Sequence, residues 1–260
     1  MTRLTIAALF VFGAIGRLGA QTPPQLEVQG EITAAKALTL LYGNYDPQEK
    51  QSRHGQYIMP LDERTLVLDG KRQWFLLTLS NSYGRAGCPL PCLGTMGVAV
   101  FEQRGPVWVL KANERKLCKD CDSQGDIVHT PSWNPIQWGT NAVGLLIDED
   151  SGGCGYAANY RALYALSGAG FRRIFSIKTS DSFSPGGCTP IEGPYRWEAA
   201  LDFGPPGPDG IYDIVVKMTS PPTRQRYRKD SLIPFAGVYR YDGKIYKHVR
   251  TQIPLPGGEN

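Results

Sequence analysis

Six cysteines are the residues of this sequence with the most chemistry to offer. Two lie in "CPLPC", two in "CKDC", and the last two each follow a Gly-Gly pair. The positions are Cys88, Cys92, Cys118, Cys121, Cys154 and Cys188. An even number of cysteines in an exported chain predicts disulfide bonds, and the connectivity cannot be deduced from spacing alone. If the first four cysteines pair among themselves, Cys154 is left to pair with Cys188.

The two close cysteine pairs also allow two other kinds of site. Four thiolates in a C-x3-C and a C-x2-C arrangement could hold zinc tetrahedrally, although the interval between Cys92 and Cys118 is longer than is usual for zinc ribbons. Alternatively, Lys119 could favour a thiolate in "CKDC" and make it a redox pair. That chemistry normally uses a helix N-terminus, which the surrounding sequence does not predict. We favour structural disulfides.

Acid–base catalysis finds less support in the sequence. The chain has three histidines in unrelated settings, His54, His129 and His248, and no G-x-S-x-G elbow. Carboxylates cluster in "IDED", where alternation along a strand places Asp148 and Asp150 on one side and Glu149 on the other. Paired carboxylates can hydrolyse glycosides, but a solvated strand end is the simpler interpretation.

A basic run is the remaining candidate for ligand binding. Its arginines are Arg224, Arg226 and Arg228, which share one side if the segment is extended. Such a row would suit phosphate groups or an acidic glycan. A solvated loop balanced by Asp230 is the alternative that we favour, and we expect no nucleic-acid partner for an exported chain.

The N-terminus indicates the compartment. Arg3 precedes an apolar run over 4–15, and small residues near Ala20 lead into a Pro-rich start. This is the layout of a secretory signal peptide over residues 1–20, and the run is too short to span a bilayer. Removal of this segment takes away two arginines and no acid, so the net charge of +4 becomes +2. We expect a periplasmic or secreted protein with no transmembrane segment after cleavage.

The sequence of the rest of the chain predicts mainly β-strands. Three apolar runs, "WFLLTLS", "AVGLLID" and "YDIVVKM", recur about 70 residues apart, a fixed spacing that is typical of repeated units. Each run is followed by an aromatic-rich strand pair around a Gly-containing turn, which is a hairpin signal. The prediction is a single domain over 21–260 with three units of three or four strands, at about 60–125, 130–180 and 195–250. One helix is predicted at 31–43, ending at Gly43.

The third unit adds a Pro/Gly-rich turn, "FGPPGPDG", before its apolar run. The order of strand, Asp/Gly loop, apolar run and "GVY" strand over 196–246 resembles the FG-GAP/VCBS repeat of integrin-like β-propellers. That resemblance implies a calcium loop, for which Asp202, Asp209 and Asp213 are the available carboxylates. Calcium binds about six to eight oxygens, and prolines occupy the other expected ligand positions. We therefore favour a structural turn in which Asp209 hydrogen-bonds the backbone.

These patterns predict an all-β fold with one short N-terminal helix, arranged like a propeller or, alternatively, as a β-sandwich. The function that we expect is non-catalytic binding at the cell envelope or outside the cell, with a protein or glycan ligand. The candidate binding loops are 81–97, 149–160 and 219–233, because loops on a regular scaffold commonly carry binding residues. No cofactor is expected unless calcium binds. The competing hypothesis is a secreted enzyme, hydrolytic or dependent on thiols or a metal, that uses the Cys118–Cys121 region.

Overall fold

The computed structural model describes residues 26–50, 57–81, 95–118, 132–153, 156–183, 195–220 and 236–250. Within these ranges the chain forms one helix and thirteen strands. The elements in chain order are β1 Glu27–Gln29, α1 Ala34–Tyr42, β2 Tyr57–Leu68, β3 Lys71–Asn81, β4 Thr95–Arg104, β5 Val107–Cys118, β6 Trp133–Gly139, β7 Ala142–Gly153, β8 Tyr156–Ser167, β9 Gly170–Phe183, β10 Tyr195–Pro206, β11 Tyr212–Ser220, β12 Gly237–Tyr241 and β13 Tyr246–Arg250. The all-β class with one short helix is confirmed.

The helix forms where its sequence provides caps and one apolar face. The Thr33 side chain accepts a hydrogen bond from the N–H of Lys36, and the N–H of Gly43 donates to the Thr39 carbonyl. These contacts satisfy polar groups that a helix end leaves open. Leu38 and Leu41 are buried against the five-stranded sheet. The helix therefore lies inside the predicted range and ends at the predicted glycine.

The strands form two antiparallel sheets. The smaller sheet has the order β1-β5-β4-β3-β2, and the larger sheet runs without interruption from β6 to β13. β1 pairs with β5, whereas the other neighbours within each sheet are consecutive in sequence. Short turns join β4 to β5, β8 to β9, and β12 to β13, as the hairpin patterns predict.

The propeller-like arrangement is not confirmed. The predicted units contain strands β2–β5, β6–β9 and β10–β13, but β9 pairs with β10 through partners such as Tyr195 and Phe183. The second and third groups of strands therefore share one continuous sheet instead of forming separate blades. An apolar layer between two sheets is the arrangement that the β-sandwich alternative predicts.

Three apolar layers hold these elements together. The first lies between the helix and the smaller sheet and includes Trp74 and Phe101. The second lies between the two sheets, where Phe75 and Leu77 meet Trp133 and Tyr164. The third lies inside the curve of the larger sheet, and its members are Trp138, Leu163, Ala165, Ile174, Phe175, Ile177, Leu201, Ile214, Val216 and Tyr246. Strands β6–β8 consequently contribute to the second and third layers and are covered on both faces, while β10–β13 bury one face only.

The curve of the larger sheet brings its distant strands into contact. A β-bridge joins Gly139 at the end of β6 to Ile211, and the N–H of Thr140 donates to the Gly210 carbonyl at 2.8 Å. The Trp138 ring lies 5.2 Å from the Tyr241 ring, centroid to centroid. The turn before β7 is therefore docked on the turn before β11.

Within the described ranges, no helix has the length and apolar character needed to cross a membrane.

Candidate functional site

A pocket of about 260 Å³ lies where the β10–β11 turn meets the end of β12. Its lining residues are Gly207, Pro208, Asp209, Ile211, Asp213, Arg240 and Tyr241. Ligand pockets of drug size commonly begin at about 300 Å³, so this one suits a smaller molecule or one residue of a polymer. We call it the turn pocket.

The sequence of the β10–β11 turn gives one wall of the turn pocket its shape. The N–H of Gly207 donates to the Ile211 carbonyl at 2.7 Å, and the N–H of Gly210 donates to the Gly207 carbonyl at 2.9 Å. The Asp209 carboxylate accepts the N–H of Ile211 at 3.1 Å, which confirms the predicted structural role of Asp209. Gly210 has a φ of +76°, a conformation that glycine adopts readily.

An ion pair between neighbouring strands forms the polar side of the turn pocket. Nε of Arg240 donates to Oδ1 of Asp213 at 3.0 Å, and Nη2 donates to Oδ2 at 2.8 Å. This two-point geometry fixes the plane of both groups. The hydrogen bonds with Asp213 raise the pKa of Arg240. The guanidinium is more exposed than the carboxylate, with 59% against 13% of the side chain accessible.

Aromatic residues support the pocket from beneath. Tyr241 packs edge-on against Trp138, donates its hydroxyl to the Gly243 carbonyl at 3.0 Å and accepts a hydrogen bond from Arg172 at 3.1 Å. Tyr246, next to Tyr241, donates its hydroxyl to the backbone carbonyl of Tyr212. Burial, followed by the nearby carboxylates of Asp213 and Asp209, raises the pKa of Tyr246. Both tyrosines are thus held in place, and Tyr241 presents a fixed ring to the pocket.

The three carboxylates considered for calcium do not come together. Asp209 and Asp213 line the turn pocket, but Asp202 lies on β10 opposite Val215, 61% exposed, with its carboxylate 3.7 Å from Nζ of Lys217. Both oxygens of Asp213 accept from Arg240. Among the described residues there is no group of three or more His, Cys, Asp or Glu side chains that could hold a metal ion. We therefore do not propose calcium for this turn.

Most of the cysteine and arginine candidates lie outside the described residues. Cys118 ends strand β5, and its backbone pairs with Met96. The candidates that lie outside the described residues are Cys88, Cys92, Cys121, Cys154, Cys188, Arg224, Arg226 and Arg228. The disulfides, the zinc and redox alternatives and the anion-binding row consequently remain predictions.

The carboxylates of "IDED" are committed to partners on neighbouring strands. Asp148 accepts two hydrogen bonds from Arg161, at 2.6 and 3.0 Å. Glu149 accepts the hydroxyl of Tyr164 at 2.6 Å, and burial followed by this contact raises the pKa of Tyr164. The side chain of Asp150 lies outside the described set. The predicted solvated strand end is therefore better described as a set of cross-strand pairs.

The tryptophans near turns are core residues. Trp133, Trp138 and Trp197 are each no more than 5% exposed, so none presents a face on which a sugar could stack. The sequence reasoning missed Arg240 and Tyr241 as site residues. Their signal was the "GVYRYDG" segment, where a charged residue lies between two tyrosines on a short strand.

Comparison of the chain with known protein families, with curated proteins and with solved structures gave no match in any of the three.

Proposed function

We propose that the chain is an exported, non-catalytic binding protein that holds a carbohydrate group in the turn pocket. Export is supported by the signal-peptide layout of residues 1–20 and by the even number of cysteines after it. The observation that carries the ligand class is the combination of the Asp213–Arg240 pair with the ring of Tyr241 in one pocket.

The polar side of the pocket matches the hydrogen bonding of sugar hydroxyls. A hydroxyl group both donates and accepts, so neighbouring hydroxyls fit a surface that offers both functions side by side. Asp213 retains lone pairs beyond the two that accept from Arg240, and Arg240 retains N–H donors beyond the two that it uses. The pair is already oriented before a ligand arrives, which reduces the ordering cost of binding.

The apolar side of the pocket matches the ring face of a sugar. Tyr241, Pro208 and Ile211 contribute carbon surface next to the ion pair. An aromatic ring offers a large rigid apolar face with a polar edge. The volume of about 260 Å³ suits one sugar residue, free or at the end of a glycan.

The arrangement favours binding over hydrolysis. A glycosidase of the usual kind needs one carboxylic acid to give a proton and a second carboxylate to act as base or nucleophile. In this pocket both oxygens of Asp213 accept from Arg240, and Asp209 holds the turn together through the N–H of Ile211. Both carboxylates therefore already make structural contacts, which favours a role in binding over proton transfer.

Screening of the purified protein on a glycan array, followed by calorimetry with the best monosaccharide or disaccharide, tests the proposal. R240K keeps the charge but loses the forked donor, and Y241A removes the ring, so we expect each to weaken binding about tenfold. R196K is the matched control, because Arg196 forms an exposed pair with Glu198 on β10, outside the pocket lining. A protein that binds no glycan, or one whose binding survives both R240K and Y241A, would contradict the proposal.

Export is tested separately by intact mass. Protein recovered from the periplasm or medium of its host should lack residues 1–20, and it should gain the mass of hydrogens at its cysteines only after reduction. Retention of the full N-terminus in the cytoplasm would contradict export without affecting the turn pocket.

A further inference from the structure

The β12–β13 hairpin carries two aliphatic side chains that face solvent, Ile245 in its turn and Val249 on β13. The alternation of β13 places Tyr246 inward, where it is 6% exposed, and turns Lys247 and Val249 to the opposite face. Ile245 is 45% exposed and Val249 is 51% exposed. The outer face of an antiparallel sheet is normally polar, so a cation between two exposed β-branched residues departs from the usual pattern.

The same hairpin is strongly basic. Residues 237–250 contain four basic residues and one acid. The basic residues are Arg240, Lys244, Lys247 and Arg250, and the acid is Asp242. Lys247 pairs with Asp242 at 2.7 Å and Arg240 pairs with Asp213 of β11, so the excess is two positive charges when Asp213 is included. Since the net charge of the whole chain is +4, this short segment together with Asp213 carries half of it. Clustered cations attract anionic partners over a Debye length of about 8–10 Å.

The tip of the hairpin is held rigidly by Asp242. Its Oδ1 accepts the N–H groups of Lys244 and Ile245, each at 2.9 Å, and its N–H donates to the Ile245 carbonyl at 3.0 Å. The N–H of Ile245, the Lys247 side chain and the N–H of Lys244 hold the pKa of Asp242 well below its usual range. Lys244 and Ile245 are therefore presented in a fixed position at the end of the sheet.

We propose that this hairpin docks the protein on an anionic lipid surface. Cations on the rim meet lipid headgroups, while Ile245 and Val249 enter the boundary between headgroups and acyl chains. An acidic soluble partner without an apolar surface would match the cations but would leave the two aliphatic side chains in water. Because the two aliphatic side chains precede and follow Lys247 in the hairpin, a charged layer with apolar material beneath it satisfies both features.

Vesicle co-sedimentation tests this inference, with phosphatidylcholine alone or with about one third phosphatidylglycerol. Intact mass first establishes whether residues 1–20 are present, because their apolar run could itself bind vesicles. We expect binding to the anionic vesicles only, weakening steeply as salt is raised. The double variant K244Q/K247Q should bind roughly 25-fold less tightly, at roughly fivefold per lysine. The variant I245S/V249S should also lose at least about tenfold.

Matched control variants test whether vesicle binding depends on the hairpin or on exposed lysines and aliphatic side chains in general. V67S removes an aliphatic side chain that is 61% exposed on β2, and K36Q/K116Q removes two exposed lysines from the N-terminal half of the chain. Both controls should bind as the unaltered chain does. All of the substituted side chains are exposed. The two N–H groups that donate to Asp242 belong to the backbone, so the turn should keep its conformation in K247Q. An unchanged circular dichroism spectrum checks this.

Three outcomes would overturn the inference. Equal binding to zwitterionic vesicles would remove the role of the cations. Binding to a soluble polyanion that I245S/V249S leaves unchanged would indicate an acidic macromolecule instead of a bilayer. A dimer in light scattering that I245S/V249S dissociates would identify a second copy of the chain as the occupant. None of these variants alters a residue that lines the turn pocket, so the two proposals stand or fall separately.

Discussion

Strands β3 and β11 hold the first and the last of the three apolar runs, yet they are buried very differently. In β3 every residue from Gln73 to Ser80 is buried, because the helix covers one face of the smaller sheet and the larger sheet covers the other. In β11 only Ile214 and Val216 are buried, and residues such as Lys217 face outward. A strand that is covered on both faces can be apolar throughout, whereas a strand with one open face alternates.

This difference in burial indicates different roles for the two regions. The region with two covered faces contributes the packing that stabilises the fold, and few of its side chains remain for a ligand. The region with one open face, β10–β13, carries both the turn pocket and the basic hairpin. We therefore expect substitutions in the first region to change stability and substitutions in the second to change binding.

The largest effect should come from truncation within the doubly covered sheet. L77A removes a side chain that is fully buried between the sheets, and we expect it to lower the free energy of unfolding by about 2–5 kcal/mol. V215A alters the outer face of β11 and should cost less than about 1 kcal/mol. Urea unfolding at neutral pH measures both. Similar losses for the two variants would contradict the contrast between the regions.

A smaller effect should follow from loosening the contact between the sheets. The indole N–H of Trp133 donates to Asp62 at 2.9 Å, and the guanidinium of Arg64 lies 5.0 Å from the indole ring centroid while donating to Asn134. W133F removes this hydrogen bond to the charged Asp62, which is 35% exposed and still accepts from Arg64, and should cost about 1–3 kcal/mol.

The matched control for W133F is W74F. Trp74 packs between the helix and the smaller sheet, so its replacement removes similar area without altering the contact between the sheets. Thermal unfolding should show a larger loss of stability for W133F than for W74F. The reverse order would mean that the polar contact at Asp62 contributes little to holding the sheets together.

In the docked turns of the larger sheet, G210A should lower the free energy of unfolding by about 1 kcal/mol more than G105A does. Gly210 has φ +76°, and a Cβ there would lie 2.7 Å from Oγ1 of Thr140, whereas Gly105 has φ +61° and nothing within 4 Å. G210A and G105A share the backbone strain, so their difference in unfolding free energy reports the contact with Thr140. Equal costs would show that the two turns are not energetically coupled.

The smallest effect should be a pH dependence in the covered sheet. Burial opposes ionisation of Glu102, but Arg104 and Lys111 outweigh it, so the pKa of Glu102 is lowered. The carboxylate therefore stabilises the fold above its unfolded pKa of about 4.3, and this contribution is lost as the pH falls through the folded value. E102Q should reduce the loss of stability between about pH 5 and pH 3.

The control for this pH effect lies on the open face. D202N alters a carboxylate that is 61% exposed, and it should leave the acid dependence nearly unchanged. Thermal midpoints across the acid range measure both variants. An acid dependence that E102Q leaves unaltered would assign the effect to other carboxylates.

The elements of this fold were predictable because their signals are local. The helix and the hairpins depend on side chains within a few residues of each other, such as Thr33 with Lys36 or Asp242 with Ile245. The structural role of Asp209 was predictable for the same reason. Alternation and turn composition determine such features without reference to the rest of the chain.

The arrangement of the sheets and the candidate site depend on distant residues. Asp213 meets Arg240 across 27 positions, and Trp133 meets Asp62 across 71. Nothing in a local window distinguishes a strand that joins its neighbour's sheet from one that begins a blade, and the pairing of Tyr195 with Phe183 settles this only in three dimensions. The pocket could be recognised only after β11 and β12 had been placed side by side.

The order of the strands has a consequence for how the protein is made. From β2 to β5 and again from β6 to β13, each strand finds its partner in the strand just before it. A polypeptide that emerges N-terminus first can therefore add one hairpin at a time, with little loop-closure entropy to overcome at each addition. Strand β1 is different, since it must wait until Val107–Val109 has been synthesised. Strand β1, the earliest of the described strands to leave the ribosome, thus cannot be locked in place before β5 has been made.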